Sequence, residues 1–211
     1  MIRIENTETV GWIPAIRGAR NPMNSWNQSD TSYGTGEHTV VIGPRDLDLL
    51  RRLANAGPDH GKYLRMIVVY CDITGPLYWY KELDTYRFGV EKNSCSTMHK
   101  IHAQPFTMAD FSHDKLNLLG VNMLKVLVDQ LEANRLAYLE NRDKRSWWQL
   151  IQLLPSSYNQ RRTYMFSYAA LRNIYHARKH HKLTEWHDFC RWVESLPYSE
   201  LITGGDSSET E

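Results

Sequence analysis

Arg65-Met-Ile-Val-Val-Tyr-Cys-Asp-Ile73 is the stretch on which the reading of the fold turns. It is rich in β-branched and aromatic residues and too short for a stable helix, so it predicts a strand with one partly buried face. The flanking residues punctuate it. Before it, Pro44 opens a helix in which Leu47, Leu50, Leu53 and Ala54 recur at helical spacing, and Asp46 and Asp48 sit near the positive end of the dipole. Gly57 closes that helix. After the strand, Gly75-Pro76 ends it and Pro76 starts a second helix from Leu77 to Tyr86.

Working outward, Ile2 to Val10 alternates weakly and reads as an edge strand, whereas Gly11 to Tyr33, with Pro14, Gly18 and Pro22, reads as turns. Phe88 to Met98 reads as irregular or extended. Leu116, Leu119, Met123, Leu124, Leu127, Val128, Leu131 and Leu136 recur at three- and four-residue steps, predicting a long amphipathic helix to about Leu139. Three more helices are expected: Trp147 to Leu154 before Pro155, Asn159 to about Arg178, and Thr184 to Leu196 before Pro197. With no internal repeat and no long linker, residues 1–203 read as one α+β domain, and the polar, acidic stretch 204–211 as a disordered tail.

Composition narrows the function. The 211 residues carry 25 Lys plus Arg against 24 Asp plus Glu, a net charge of +1, which argues against strong nucleic-acid or membrane binding driven by phosphate neutralisation. No apolar run approaches the ~20 residues of a membrane span, and the first ten residues lack a secretory pattern, so the expected location is cytoplasmic. Cys71, Cys95 and Cys190 are odd in number and widely spaced, predicting reduced thiols.

Four features carry chemistry, each with a bland counterpart. Arg161, Arg162, Arg172 and Arg178 could surround a phosphate or simply form a solvated helix face. His176 and His180 share a helical spacing, yet no Glu completes a zinc motif and no third ligand is marked, so no metal is expected. Asn93-Ser-Cys-Ser-Thr97 gathers hydrogen-bonding side chains in a binding loop or an ordinary ST-turn. Cys95 near His99 invites a nucleophile reading. The usual hydrolase, P-loop and dinucleotide signatures are missing.

Taken in order, Asp46-Leu47 to Gly57, His60, the strand to Ile73, Pro76, a helix, Arg87, Asn93 and Ser96 resemble the flavin-dependent thymidylate synthase family. That family's Arg-His-Arg and Asn-Glu-x-Ser-x-Arg-Tyr elements correspond here to Thr85-Tyr86-Arg87 and Asn93-Ser-Cys-Ser-Thr-Met-His99. Leu154-Pro155, Ser167, Asn173, Arg178 and Glu185-Trp186 are similar to its C-terminal helices. The chain, including Ile16 to Trp26 and Leu154 to Asn159, also resembles a group of phage and prophage proteins.

The resemblance implies an α+β fold, an antiparallel sheet with packed helices, assembled as a homotetramer with FAD and dUMP bound between subunits. In the family a methyl group passes from methylenetetrahydrofolate through reduced FAD to the pyrimidine C5, with NADPH as reductant and no cysteine nucleophile. It assigns Arg178 the catalytic position facing the pyrimidine, and Arg87, Asn93, Ser94 and Ser96 to the nucleotide with it, while Arg161, Arg162 or Lys92 could stand in for the family's missing cations. His60, Glu82, Tyr86 and Asn173 fall on the cofactor side. Thr85 and Tyr86 replace the first Arg and the His, Ser94 replaces Glu, and Met98 and Ile151 replace nucleotide-binding arginines. Each lost charge-assisted bond removes about 1.5–3 kcal/mol.

Two readings therefore stand. Either the site still binds a pyrimidine nucleotide, with C5 methyl transfer attached, or a phage-encoded, non-catalytic protein in the host cytoplasm uses the scaffold to hold a nucleotide or a host protein.

Overall fold

The computed structural model describes residues 2–36 and 40–204; the expected acidic tail lies outside the described residues from 205 onward. In chain order the elements are β1 (Arg3–Val10), α1 (Trp12–Arg20), β2 (Ser32–Tyr33), β3 (Val40–Val41), α2 (Pro44–Asn55), β4 (Val68–Pro76), α3 (Leu77–Leu83) and β5 (Val90–Ser94). They continue with α4 (Leu118–Asn141), α5 (Lys144–Leu153), β6 (Asn159–Ser167), α6 (Tyr168–Arg178), α7 (Thr184–Glu194) and α8 (Glu200–Thr203).

The fold is α+β. Four strands form one sheet in the order β1-β4-β6-β5, with β1 on an edge as its alternation suggests, and β2 pairs antiparallel with β3. Hydrogen bonds at both ends give the sense of the central pair: the Leu77 amide donates to the Tyr158 carbonyl at 3.0 Å and that of Tyr168 to Ile67 at 2.9 Å, so β4 and β6 run antiparallel. The same holds for β5 and β6, where Cys95 donates to Arg161 at 3.0 Å and Ser167 to Gly89 at 2.8 Å.

Contacts divide the residues into two units. The first contains Ile73–Thr85 and Asn93–Thr163. Its core joins Ile101, Phe106 and Phe111 to Leu124, Val128 and Leu131 of α4 and Leu150 of α5. The second contains Ile4–Asp72, Tyr86–Lys92 and the chain from Tyr164. Here Trp12, Leu50, Ile67, Phe166, Leu171, Trp186, Phe189 and Leu201 are buried, and α6 packs on α7, α8 and the 3₁₀ turn Gly61–Arg65.

Local chemistry explains the elements, including those the sequence reading misplaced. The start of α2 at Pro44 is as expected, but its cap comes from afar: Gly43 has no side chain, and the Asp30 carboxylate accepts from the amides of Arg45 at 2.9 Å and Asp46 at 3.0 Å. Part of the expected turn region is instead α1. Pro14 is its third residue, inside the first turn, where the missing N–H breaks no intrahelical bond.

The expected helix from Asn159 to Arg178 is in fact β6 followed by α6. Ser167 divides them, its hydroxyl accepting from the Ala170 amide at 3.1 Å as an N-cap. In β6, Gln160, Tyr164 and Phe166 are buried and Arg161 and Thr163 exposed, a period of two. The long helix α4 forms, but only part of its expected apolar face is covered. Leu124, Val128 and Leu131 are buried, whereas Leu116, Leu119, Met123 and Leu136 are exposed.

Candidate functional site

In the second unit, the stretch Arg87-Phe88-Gly89 before β5 meets the start of α6. Gly89 has φ +69°, and a Cβ there would lie 2.3 Å from the Ser167 hydroxyl, so only glycine lets the chain pass this close. The turn leaves Phe88 with 96% of its surface exposed. Around it lies a cavity of about 570 Å³ lined by Phe88, Gly89, Ser167, Ala170, Asn173 and Arg65. That volume falls within the usual range of small-ligand sites, ~300–1,000 Å³. An uncovered aromatic face and an amide that can donate and accept suit a flat heteroaromatic ring, and a guanidinium at the edge suits a negative group carried by the same ligand.

Beside it is a second cavity of about 330 Å³, which shares Arg65 and Ala169 with the first and adds Arg172, Asn55 and the Gly57–Pro58 turn. His60 follows that turn, its amide donating to the Gly57 carbonyl at 3.1 Å.

The sequence-predicted residues fall into separate groups. In the second unit, Asn173 lines the larger cavity, and Arg178 lies five residues further along α6. The Arg178 Nε donates to the Tyr86 hydroxyl at 2.8 Å, and its guanidinium lies 4.9 Å from the Trp186 ring centroid and 5.5 Å from that of Tyr86. The two aromatic rings hold the cation in place. Arg87 and His60 are exposed.

In the first unit, Asn93, Ser94 and Ser96 lie on or just after β5, and Arg161 faces this stretch from β6 through the bond from Cys95. The Ser96 hydroxyl accepts from the amides of Met98 at 3.2 Å and His99 at 2.9 Å, the ST-turn that the sequence allows. Glu82 is half-buried on α3. Arg162, read with Arg161 as a phosphate ligand, has other work. It sits 3.8 Å over the Tyr80 ring and donates to Asp84 at 2.9 and 3.1 Å.

Cys95 is exposed, whereas burial pushes the Cys71 thiol up to about 12 and that of Cys190 up to about 11, so both stay protonated. Among the described residues no cluster of three or more His, Cys, Asp or Glu could hold a metal, and no helix is long and apolar enough to cross a membrane.

Comparison with solved structures follows the same lines. The flavin-dependent thymidylate synthase ThyX from Helicobacter pylori, complexed with FAD and dUMP, matches with a TM-score of 0.70 at 19% identity, over 96% of this chain and 98% of that one. A second structure of the H. pylori protein with FAD and dUMP gives 0.69 at 18% identity, over 97% and 98%. The UMP/dUMP methylase PolB from Streptomyces cacaoi, bound with 5-Br dUMP, gives 0.66 at 13%, over 97% and 94%. The fold is flavin-dependent thymidylate synthase-like. No family model and no curated protein matches the sequence.

Within this synthase-like fold the sequence reading passed over the residues that shape the cavities. Arg65 was only the first residue of a strand, yet it ends the 3₁₀ turn and reaches two cavities. Phe88-Gly89 carried a signal, an aromatic beside a glycine in a segment with no apolar pattern. Asp46 was read for its place at a helix start. It is instead the buried centre of a network. It accepts from Arg20 Nε at 2.6 Å, the hydroxyls of Ser29 and Thr31, each at 2.7 Å, and the amides of Asp30 and Thr31, each at 3.0 Å. Burial pushes the Asp46 carboxyl up, but the bonds from Thr31, Ser29, Arg20 and Asp30 outweigh it and hold the group below the ordinary carboxylate range.

Proposed function

We propose that this chain binds a pyrimidine nucleotide and a flavin, as a divergent relative of the flavin-dependent thymidylate synthases. The observation that carries the reading is the cavity of about 570 Å³ bounded by Phe88, Asn173 and Arg65. It lies in a fold matched over nearly its whole length by proteins that hold FAD and dUMP.

The roles are those the family resemblance implies, with Phe88 added by the cavity. Asn173 offers an amide to the polar edge of a flavin ring and Phe88 a face for stacking, with His60, Tyr86 and Glu82 on the cofactor side. Arg178, held by Tyr86 and Trp186, keeps a positive charge fixed where a pyrimidine carbonyl gains negative charge, and a charge already oriented stabilises it without reorganisation. Arg87, Asn93, Ser94, Ser96 and Arg161 serve the nucleotide. A bound flavin supplies the redox chemistry for moving a one-carbon unit to pyrimidine C5, with methylenetetrahydrofolate and NADPH as the co-substrates of that reaction.

Self-association belongs to the same proposal, with a tetramer as the expected form. Leu118, Leu119, Met123 and Val126 expose an apolar stretch at the start of α4 that a second copy would cover. A phage origin and a place in the host cytoplasm complete it.

Freshly purified protein should show flavin absorbance, or acquire it when soaked with FAD, and should gain thermal stability with dUMP. Colourless protein that takes up no FAD and shows no shift with dUMP would falsify the reading.

A further inference from the structure

We propose that the cavity of about 330 Å³ is a phosphate subsite, with Arg65 and Arg172 as its cations, for a ligand whose flat ring lies in the adjoining cavity against Phe88. The ligand class is a phosphate ester of a heteroaromatic compound.

Charge makes the case. Among the described residues two guanidinium groups line this space and no carboxylate does; the remaining walls are Asn55, the Gly57–Pro58 turn, Gly61 and the apolar side chains of Ala54, Leu64 and Ala169. Arg172 is anchored: Nη1 donates to the Leu201 carbonyl at 2.8 Å, and Nη2 lies 3.5 Å from the Asn55 Oδ1. A guanidinium has five N–H donors, so Arg172 keeps others for a ligand. Arg65 is exposed and has no ion pair among the described residues. At Gly57 a Cβ would meet nothing within 4 Å, so the space beside the turn is open.

The helix ends nearby oppose each other. The carbonyl end of α2 at Ala54 and Asn55 disfavours an anion, and the amide end of α6 at Ala169 favours one, so the selectivity falls to the two arginines. Arg65 borders both cavities, which places the ligand's negative group beside Arg65 and its ring next to Phe88.

The proposal deepens the flavin and nucleotide reading but is tested apart from it. The probes are pairs differing only in phosphate, FMN against riboflavin and dUMP against deoxyuridine, with inorganic pyrophosphate as a ring-free probe. Titrations compare the unaltered protein with Arg65→Ala and Arg65→Lys, changes that remove no ion pair among the described residues.

The expected result is that one phosphate ester binds about tenfold tighter than its phosphate-free partner at low salt, with the preference lost in Arg65→Ala and partly kept in Arg65→Lys. Stabilisation by pyrophosphate that disappears in Arg65→Ala, with no flavin or pyrimidine bound, also supports the subsite while removing the reading above. Riboflavin and deoxyuridine each binding as tightly as its phosphate ester overturns the subsite and leaves that reading intact. So does a phosphate preference that Arg65→Ala does not change. No binding of any probe overturns both.

Discussion

Two arginines of the same unit show how differently one residue type can be used. Arg20 is buried, its Nε bonded to Asp46 at 2.6 Å and its Nη atoms directed at the carbonyls of Ser25 and Gln28, both at 3.2 Å. It joins α1, the segment after it and α2. Arg65 is exposed, borders two cavities and has no ion pair among the described residues. A net charge of +1 counts both alike. What separates them is desolvation: a buried cation must be fully bonded, while an exposed one without an acid partner stays free to bind an anion.

The comparison breaks most sharply at Arg20. Arg20→Ala leaves Asp46 buried without its cation and should lower the unfolding free energy by about 3–5 kcal/mol. Arg65→Ala should change it by less than about 0.5 kcal/mol. Urea denaturation followed by tryptophan fluorescence measures both, and equal losses would end the distinction. Acid sharpens it. Asp46 titrates lower in the folded than in the unfolded chain, so its contribution is complete above the unfolded value, ~3.9, and is lost as pH falls through the folded value. Stability should therefore drop below about pH 4, and Asp46→Asn should flatten that drop; an unchanged acid slope in the variant would assign it elsewhere.

Gly89→Ala comes next in size. A positive φ and a Cβ aimed at the Ser167 hydroxyl combine strain with a clash, a cost of about 1–3 kcal/mol. The variant should also bind flavin more weakly, because the Phe88 turn and the cap of α6 move together. A stable variant with unchanged ring binding would show that this turn does not shape the cavity.

Where a residue's role depends on its neighbours in sequence, the sequence was readable. Pro44 and Gly57 bracket α2, and Pro76 precedes α3, because backbone restrictions are local. It failed where a distant partner decides. Asn159 to Arg178 was expected as one helix, but the Arg162 stem lies on Tyr80 and its head reaches Asp84, so a charged residue fits a strand. In α4 the spacing was right and the cover was not, since period alone does not reveal which apolar side chains a second element reaches. The candidate site divides in the same way. Asn173 and His60 were named through the family resemblance, whereas Arg65 and Phe88 gain meaning only when the start of α6 is brought beside them.

The smallest effect on stability is expected where exposure is greatest. Phe88 has almost nothing to lose on unfolding, since 96% of its surface is already in water, so Phe88→Ser should leave the denaturation midpoint within error. Its cost should appear only in binding. A ring stacked on Phe88 loses about 0.5–1.5 kcal/mol when the face is removed, roughly a two- to tenfold weakening. The same loss should fall on riboflavin and FMN, since the phosphate is not involved. Phe88→Ser and Arg65→Ala thus separate by probe: the first weakens the ring whatever it carries, and the second weakens only the phosphate ester. Fluorescence titration of the four combinations decides it, and a Phe88→Ser loss confined to FMN would mean that the ring lies elsewhere.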